Sequence, residues 1–125
     1  MKKYLALLIL VAGIVAMLPS CYYEEIEFDE PVIIPGDTVS FSLEVVPIFE
    51  ARCNASVCHG GSKDPNLTPD NAYNSLMNGG FVNTTTPSSS TIYTCISPGG
   101  SMVSYAKQGD ANLILKWIEE GAKNN

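Results

Sequence analysis

The sequence predicts a small, mostly α-helical domain with long loops, carried behind an export signal and an extended tether. Three observations lead there. Apolar side chains recur at helical spacing in three separate stretches. The segments between them are rich in Gly, Ser, Asn and Pro, which favour turns over regular structure. The chain also opens on two lysines followed by a short, wholly apolar run, the pattern of a secretion signal.

Taken in order, Lys2 and Lys3 precede 13 apolar residues, Leu5 to Met17. A run of that length is too short to cross a hydrocarbon core of roughly 30 Å and fits the apolar region of a signal peptide. Leu18-Pro19-Ser20-Cys21 then resembles the lipobox of bacterial lipoproteins. The resemblance implies that residues 1–20 are removed and that Cys21 is acylated and becomes the N-terminus. Two or three acyl chains would anchor the protein firmly to a membrane. Pro19 is less usual at its place than Ala, Ser or Thr.

Residues 21–40 are expected to form a tether, since Pro31, Pro35 and Gly36 interrupt any helical period. Glu24, Glu25, Glu27, Asp29 and Glu30 would be repelled by anionic headgroups and hold the domain off the bilayer. Acidic residues so close to the acylated cysteine also resemble the surface-export signals of Bacteroidetes lipoproteins. The expected location is therefore outside the cytoplasm, lipid-anchored to the outer membrane on its periplasmic or cell-surface face.

The domain proper, residues 41–125, is short enough to be a single unit. Phe41, Val45, Ile48 and Phe49 place an apolar stripe on a first helix leading into Cys53, with Pro47 tolerated in its first turn. Residues 54–69 read as loop. Asp70 is expected to cap a helix bearing Ala72, Tyr73, Leu76 and Met77, stopped by Asn78-Gly79-Gly80. Residues 81–105 read as mostly loop. Asp110 is expected to cap a closing helix running to about Ala122, with Leu113, Ile114, Trp117 and Ile118 facing the core.

The full chain has a formal net charge of -6. Without residues 1–20, 5 basic side chains face 13 acidic ones. Phosphate binding needs clustered Lys and Arg, so nucleic acid is excluded as an expected partner. Three short helices among long loops make a thin core, which calls for a disulfide, a metal or a bulky cofactor.

Cys53-Asn54-Ala55-Ser56-Val57-Cys58-His59 supplies the candidate. Two cysteines with the chain's one histidine directly after the second is the order needed to hold c-type haem: two thioether bonds and one axial iron ligand. The usual spacer is two residues; here it is four. Two other readings use the same residues. Cys53 and Cys58 could close a small disulfide in an oxidising compartment, giving a haem-free, stapled surface lipoprotein that binds a partner or glycan through the polar Thr84–Thr91 run. Cys53, Cys58, His59 and Cys95 could together offer four ligands to zinc. Hydrolytic catalysis has no support, because no serine-base or paired-carboxylate pattern stands out.

Val46-Pro47-Ile48-Phe49-Glu50-Ala51-Arg52-Cys53, Cys58-His59-Gly60-Gly61, Ala72-Tyr73-Asn74-Ser75-Leu76, Gly99-Gly100-Ser101-Met102 and the closing 114–122 segment with Trp117-Ile118 together resemble single-haem cytochrome c domains of exported Bacteroidetes and Planctomycetes proteins. The likeness covers most of residues 43–123. It implies a cytochrome c-like helical domain around one covalent haem c. Cys53 and Cys58 would be the attachment points, and His59 and Met102 the two iron ligands. The implied activity is electron transfer with an unknown redox partner protein. An iron lacking Met102 would be five-coordinate and open to peroxidase-like chemistry. Met77 is read as core packing, Trp117 and Tyr73 as core aromatics, and Cys95 as a leftover thiol.

Overall fold

The computed structural model describes residues 38–125. The signal sequence, Cys21 and the acidic tether up to residue 37 lie outside the described residues. Of the described residues, 49% are helical and none is in a strand, so the mostly helical class read from the sequence holds. Among them no helix is long and apolar enough to cross a membrane.

A π-helical turn, Phe41–Val45, runs directly into α1, Val46–Arg52. The wide turn has a local cause. Pro47 has no N–H to give, and its ring crowds the carbonyl four residues back, so the ladder upstream loosens to i−5 bonds. Val46 N–H accordingly reaches Phe41 O, and Val45 N–H reaches Ser40 O at 3.3 Å. The expected stripe is in place: Phe41, Val45 and Phe49 are buried, and Ile48 packs against them.

Helix α2 covers Ala72–Asn78. Asp70 does not cap it. Asn71 flanks its start, and the Thr68 carbonyl accepts N–H from both Asn71 and Ala72 at 2.9 and 2.8 Å. Ala72 and Leu76 are buried, with Tyr73 and Met77 packed against the core. After Asn78 the chain reverses, and Phe81 N–H bonds Leu76 O at 3.0 Å, closing the helix end.

The largest departure from expectation lies in residues 81–105. That stretch contains a third helix, α3, Thr91–Ile96, flanked by 3-10 turns at Pro87–Ser89 and Val103–Tyr105. Ile92 and Ile96, one helical turn apart, are buried in the core. Ser90 is buried ahead of α3, where its hydroxyl oxygen accepts Asn83 N–H at 2.9 Å. The Thr and Ser around it obscured a four-residue apolar spacing that packing rewards.

Helix α4, Gln108–Glu119, begins two residues before Asp110, which sits inside the first turn and not at its cap. Its carboxylate reaches back to accept Lys107 N–H at 2.9 Å, a favourable place for an acid near the positive end of the helix dipole. Beyond Glu119 the chain folds back, so that Ala122 N–H bonds Trp117 O at 2.9 Å and Ala122 is buried.

The core is organised around Trp117, which is 1% exposed. Phe41 lies 5.0 Å from it and 5.3 Å from Tyr73 between ring centroids, within the range of favourable aromatic pairs. Each ring's polar atom is satisfied: Trp117 Nε1 donates to Lys123 O at 2.9 Å and Tyr73 Oη to Ala122 O at 3.1 Å. Val39, at the expected end of the tether, belongs to this core at 3% exposure. Its N–H bonds Glu120 Oε2 at 2.7 Å, and Asn125 accepts N–H from Phe41 and Ser42 at 2.9 Å each. The two ends of the described chain are thus stitched together.

Candidate functional site

The Cys53–His59 loop leaves α1 at its C-terminal end and is tied down by its own backbone. Cys53 N–H bonds Phe49 O at 2.8 Å, Cys58 N–H bonds Ala55 O at 2.8 Å, and His59 N–H returns to Cys53 O at 3.1 Å. Gly60 N–H also bonds Ala55 O, at 3.1 Å. Glycine is needed there, because a Cβ at residue 60 would strike the Asn54 carbonyl oxygen. The four-residue spacer therefore forms a hydrogen-bonded bulge that brings Cys53 and His59 back together across it.

His59 is fixed on both sides. Leu67 N–H donates to the His59 carbonyl at 2.7 Å. The ring Nδ1 lies 2.9 Å from Pro65 O. A carbonyl only accepts, so Nδ1 is the donor in this contact, and Nε2 is the ring nitrogen it leaves available. A backbone carbonyl holding the far nitrogen is the usual way a protein orients an imidazole for metal binding. Nothing in the sequence marked Pro65 for this role, since every residue carries a carbonyl.

The two thiols differ. Cys58 is exposed and Cys53 half-buried. Burial pushes the Cys53 thiol up to about 11, the Asp110 carboxylate adds to the rise, and the Arg52 guanidinium opposes it. Asp110 is close because it bridges elements far apart in sequence. Its Oδ2 lies 2.9 Å from Arg52 Nε while also accepting Lys107 N–H. Sequence alone gave no hint that residues 52 and 110 pair.

Met102 lies at the turn after Gly100, with its N–H bonded to Cys95 O at 2.8 Å. A Cβ on Gly100 would strike the carbonyl oxygens of Thr94 and Cys95, so only glycine lets this loop press against the end of α3. Met102 is exposed, at 39%. Met77, by contrast, packs against the core as expected.

The described residues place Cys53, Cys58 and His59 in one loop and Met102 in a second loop that ends at Lys107, beside Asp110. Cys53, Cys58 and Cys95 are all free thiols, and no group of three or more His, Cys, Asp or Glu among the described residues is arranged around a common metal position. The zinc arrangement is therefore not assembled; Cys95, half-buried on α3, meets Met102 through the backbone instead.

The residues present suit a large apolar group with one metal. Two thiols and an imidazole whose Nδ1 is engaged by Pro65 O are carried by one short loop tied by its own backbone. Of the five large hydrophobic side chains exposed among the described residues, four are Val57, Met102, Val103 and Tyr105. All four lie in the two loops that carry the cysteines and Met102.

No family model, no curated protein and no solved structure matches this chain.

Proposed function

We propose that the chain is a lipid-anchored, single-haem c-type cytochrome that transfers electrons outside the cytoplasmic membrane. The observation that carries this reading is the Cys58-His59 adjacency together with an imidazole whose Nδ1–H is held by Pro65 O. Cys53 and Cys58 would hold the haem through thioether links to its two vinyl groups. His59, through Nε2, and Met102, through its thioether sulfur, would be the residues that hold the iron. When bound, the haem supplies a one-electron ferric/ferrous couple. Around it the protein fixes the His59 ring, excludes water with the side chains of the two loops, and keeps the attachment helix immobile against the aromatic core. Cys21 holds the domain at a membrane through its acyl chains, and a redox protein on the same side is the partner.

The test is expression of the full chain with and without a cytochrome-maturation system. With it, the protein should carry the mass of one haem and a Soret band that survives acid-acetone extraction. A colourless product of unchanged mass overturns the reading and leaves the haem-free, disulfide-stapled surface protein in its place. Release of the protein from membranes by Cys21→Ala checks the anchor separately.

A further inference from the structure

We propose that Asp110 is a positioning residue for the distal iron ligand, tying the loop that carries Met102 to the helix that carries the first attachment cysteine. This rests on the cytochrome reading above. The Asp110 side chain is 7% exposed, and its Oδ2 serves two partners at 2.9 Å each, Arg52 Nε and Lys107 N–H. Arg52 is the last residue of α1, next to Cys53. Lys107 closes the segment in which Met102 lies.

That segment has little slack. Upstream, Gly100 N–H bonds Ser97 O at 2.8 Å and Met102 N–H bonds Cys95 O at 2.8 Å. Downstream, Tyr105 N–H returns to Met102 O at 3.0 Å and the Val103–Tyr105 turn leads straight to Lys107. A shift of Lys107 is therefore passed to Met102. Helix capping alone would need only the bond from Lys107 to Asp110. The second bond, to Arg52, joins the cap to the attachment helix across more than fifty positions of sequence. The Asp110 carboxylate is the sheltered partner, so loss of Arg52 leaves a poorly solvated charge at the junction.

The experiment uses the full-length haem protein. Asp110→Asn and Arg52→Gln are compared with wild type, with Arg52→Lys as the charge-retaining rescue and Ile114→Val as a control that weakens the same part of the core. Both disrupting variants should keep the covalent haem mass while losing most of the ferric sulfur-to-iron charge-transfer band. Their ferrous forms should bind carbon monoxide about tenfold faster or more, the change expected where about 1.4 kcal/mol of loop anchoring is lost. Arg52→Lys should fall between, and Ile114→Val should lower the thermal midpoint without changing the carbon monoxide rate. In the haem-free protein, the disrupting variants should be cleaved faster by trypsin after Lys107.

A wild type without covalent haem overturns the cytochrome reading and this proposal with it. Haem-bearing variants that bind carbon monoxide at the wild-type rate overturn the proposal alone, as does a wild type with haem but no sulfur band. Equal acceleration by Ile114→Val would reduce Asp110 to a structural residue. If Asp110→Asn does not accumulate, Arg52→Gln, at a partly exposed position, decides the matter by the same readings.

Discussion

The two flanks of the proposed iron site are built differently. On the His59 side the ring nitrogen, the carbonyl and the N–H of one residue are each held, by Pro65, Leu67 and Cys53. On the Met102 side the backbone is held, at Cys95 and Tyr105, and the residue is exposed. The difference teaches that a ligand can be fixed locally by hydrogen bonds when its side chain has a polar atom to spare. A thioether has none, so Met102 depends on how its loop is anchored at the ends, at Gly100 and at the Lys107–Asp110–Arg52 junction. The first flank is rigid by its own chemistry, the second by tertiary contacts.

The sharpest way to break this contrast is to remove each ligand. His59→Ala should abolish covalent haem in cells, read as loss of colour and of the haem mass, whereas Met102→Ala should keep the haem and merely open the iron to carbon monoxide. Equal loss of haem in both would mean that the flanks do not differ. A change behind both flanks comes next. Trp117→Ala removes the centre of the aromatic core and should cost about 3–5 kcal/mol in denaturant unfolding of the haem-free domain.

Smaller effects separate the loops from each other. Gly60→Ala and Gly100→Ala each drive a methyl group into backbone carbonyls, and each should destabilise by about 1–3 kcal/mol. The contrast predicts that Gly60→Ala lowers the yield of haem attachment, while Gly100→Ala leaves attachment intact and weakens the sulfur-to-iron band. Absorbance and intact mass on the same samples distinguish the two outcomes.

The smallest effect concerns the thiols of the haem-free protein. With Cys53 pushed up to about 11, only about a thousandth of it is thiolate near pH 8, so iodoacetamide should label exposed Cys58 well before Cys53. The same shift makes stability fall with alkali. A raised thiol favours the folded state fully below its ordinary value of 9.0, and that contribution is lost as pH climbs from there through about 11. Cys53→Ala should remove this part of the alkaline dependence, as read from denaturation midpoints across that range.

The first helical stripe was legible because Phe41, Val45 and Phe49 repeat at a spacing only a helix can put on one face, and the closing helix because Leu113, Ile114, Trp117 and Ile118 do the same. Helix α3 was not, because Ile92 and Ile96 are two apolar residues in a polar run, and their value as core residues depends on α4 lying beside them. Both cap assignments were off for a related reason. Asp70 and Asp110 are good capping residues in isolation, but Thr68 and Lys107 sit where the incoming chain approaches each helix. Within the candidate site, Cys53, Cys58, His59 and Met102 were visible as residue types in a telling order, whereas Pro65 and the Arg52–Asp110 pair were not.

By itself, then, the sequence determined a helical class, the apolar faces of its first and last helices, and a short segment whose two thiols and imidazole must stay neighbours because so few bonds separate them. Tertiary structure alone decided which nitrogen of His59 meets a carbonyl, that the cysteines and His59 form no three-membered metal group among the described residues, and that the Met102 loop ends on a carboxylate paired with Arg52 at the end of α1. The physical reason is range. Local order constrains groups a few residues apart, while a carbonyl acceptor or an ion pair between distant residues exists only once the packed core has brought the segments together.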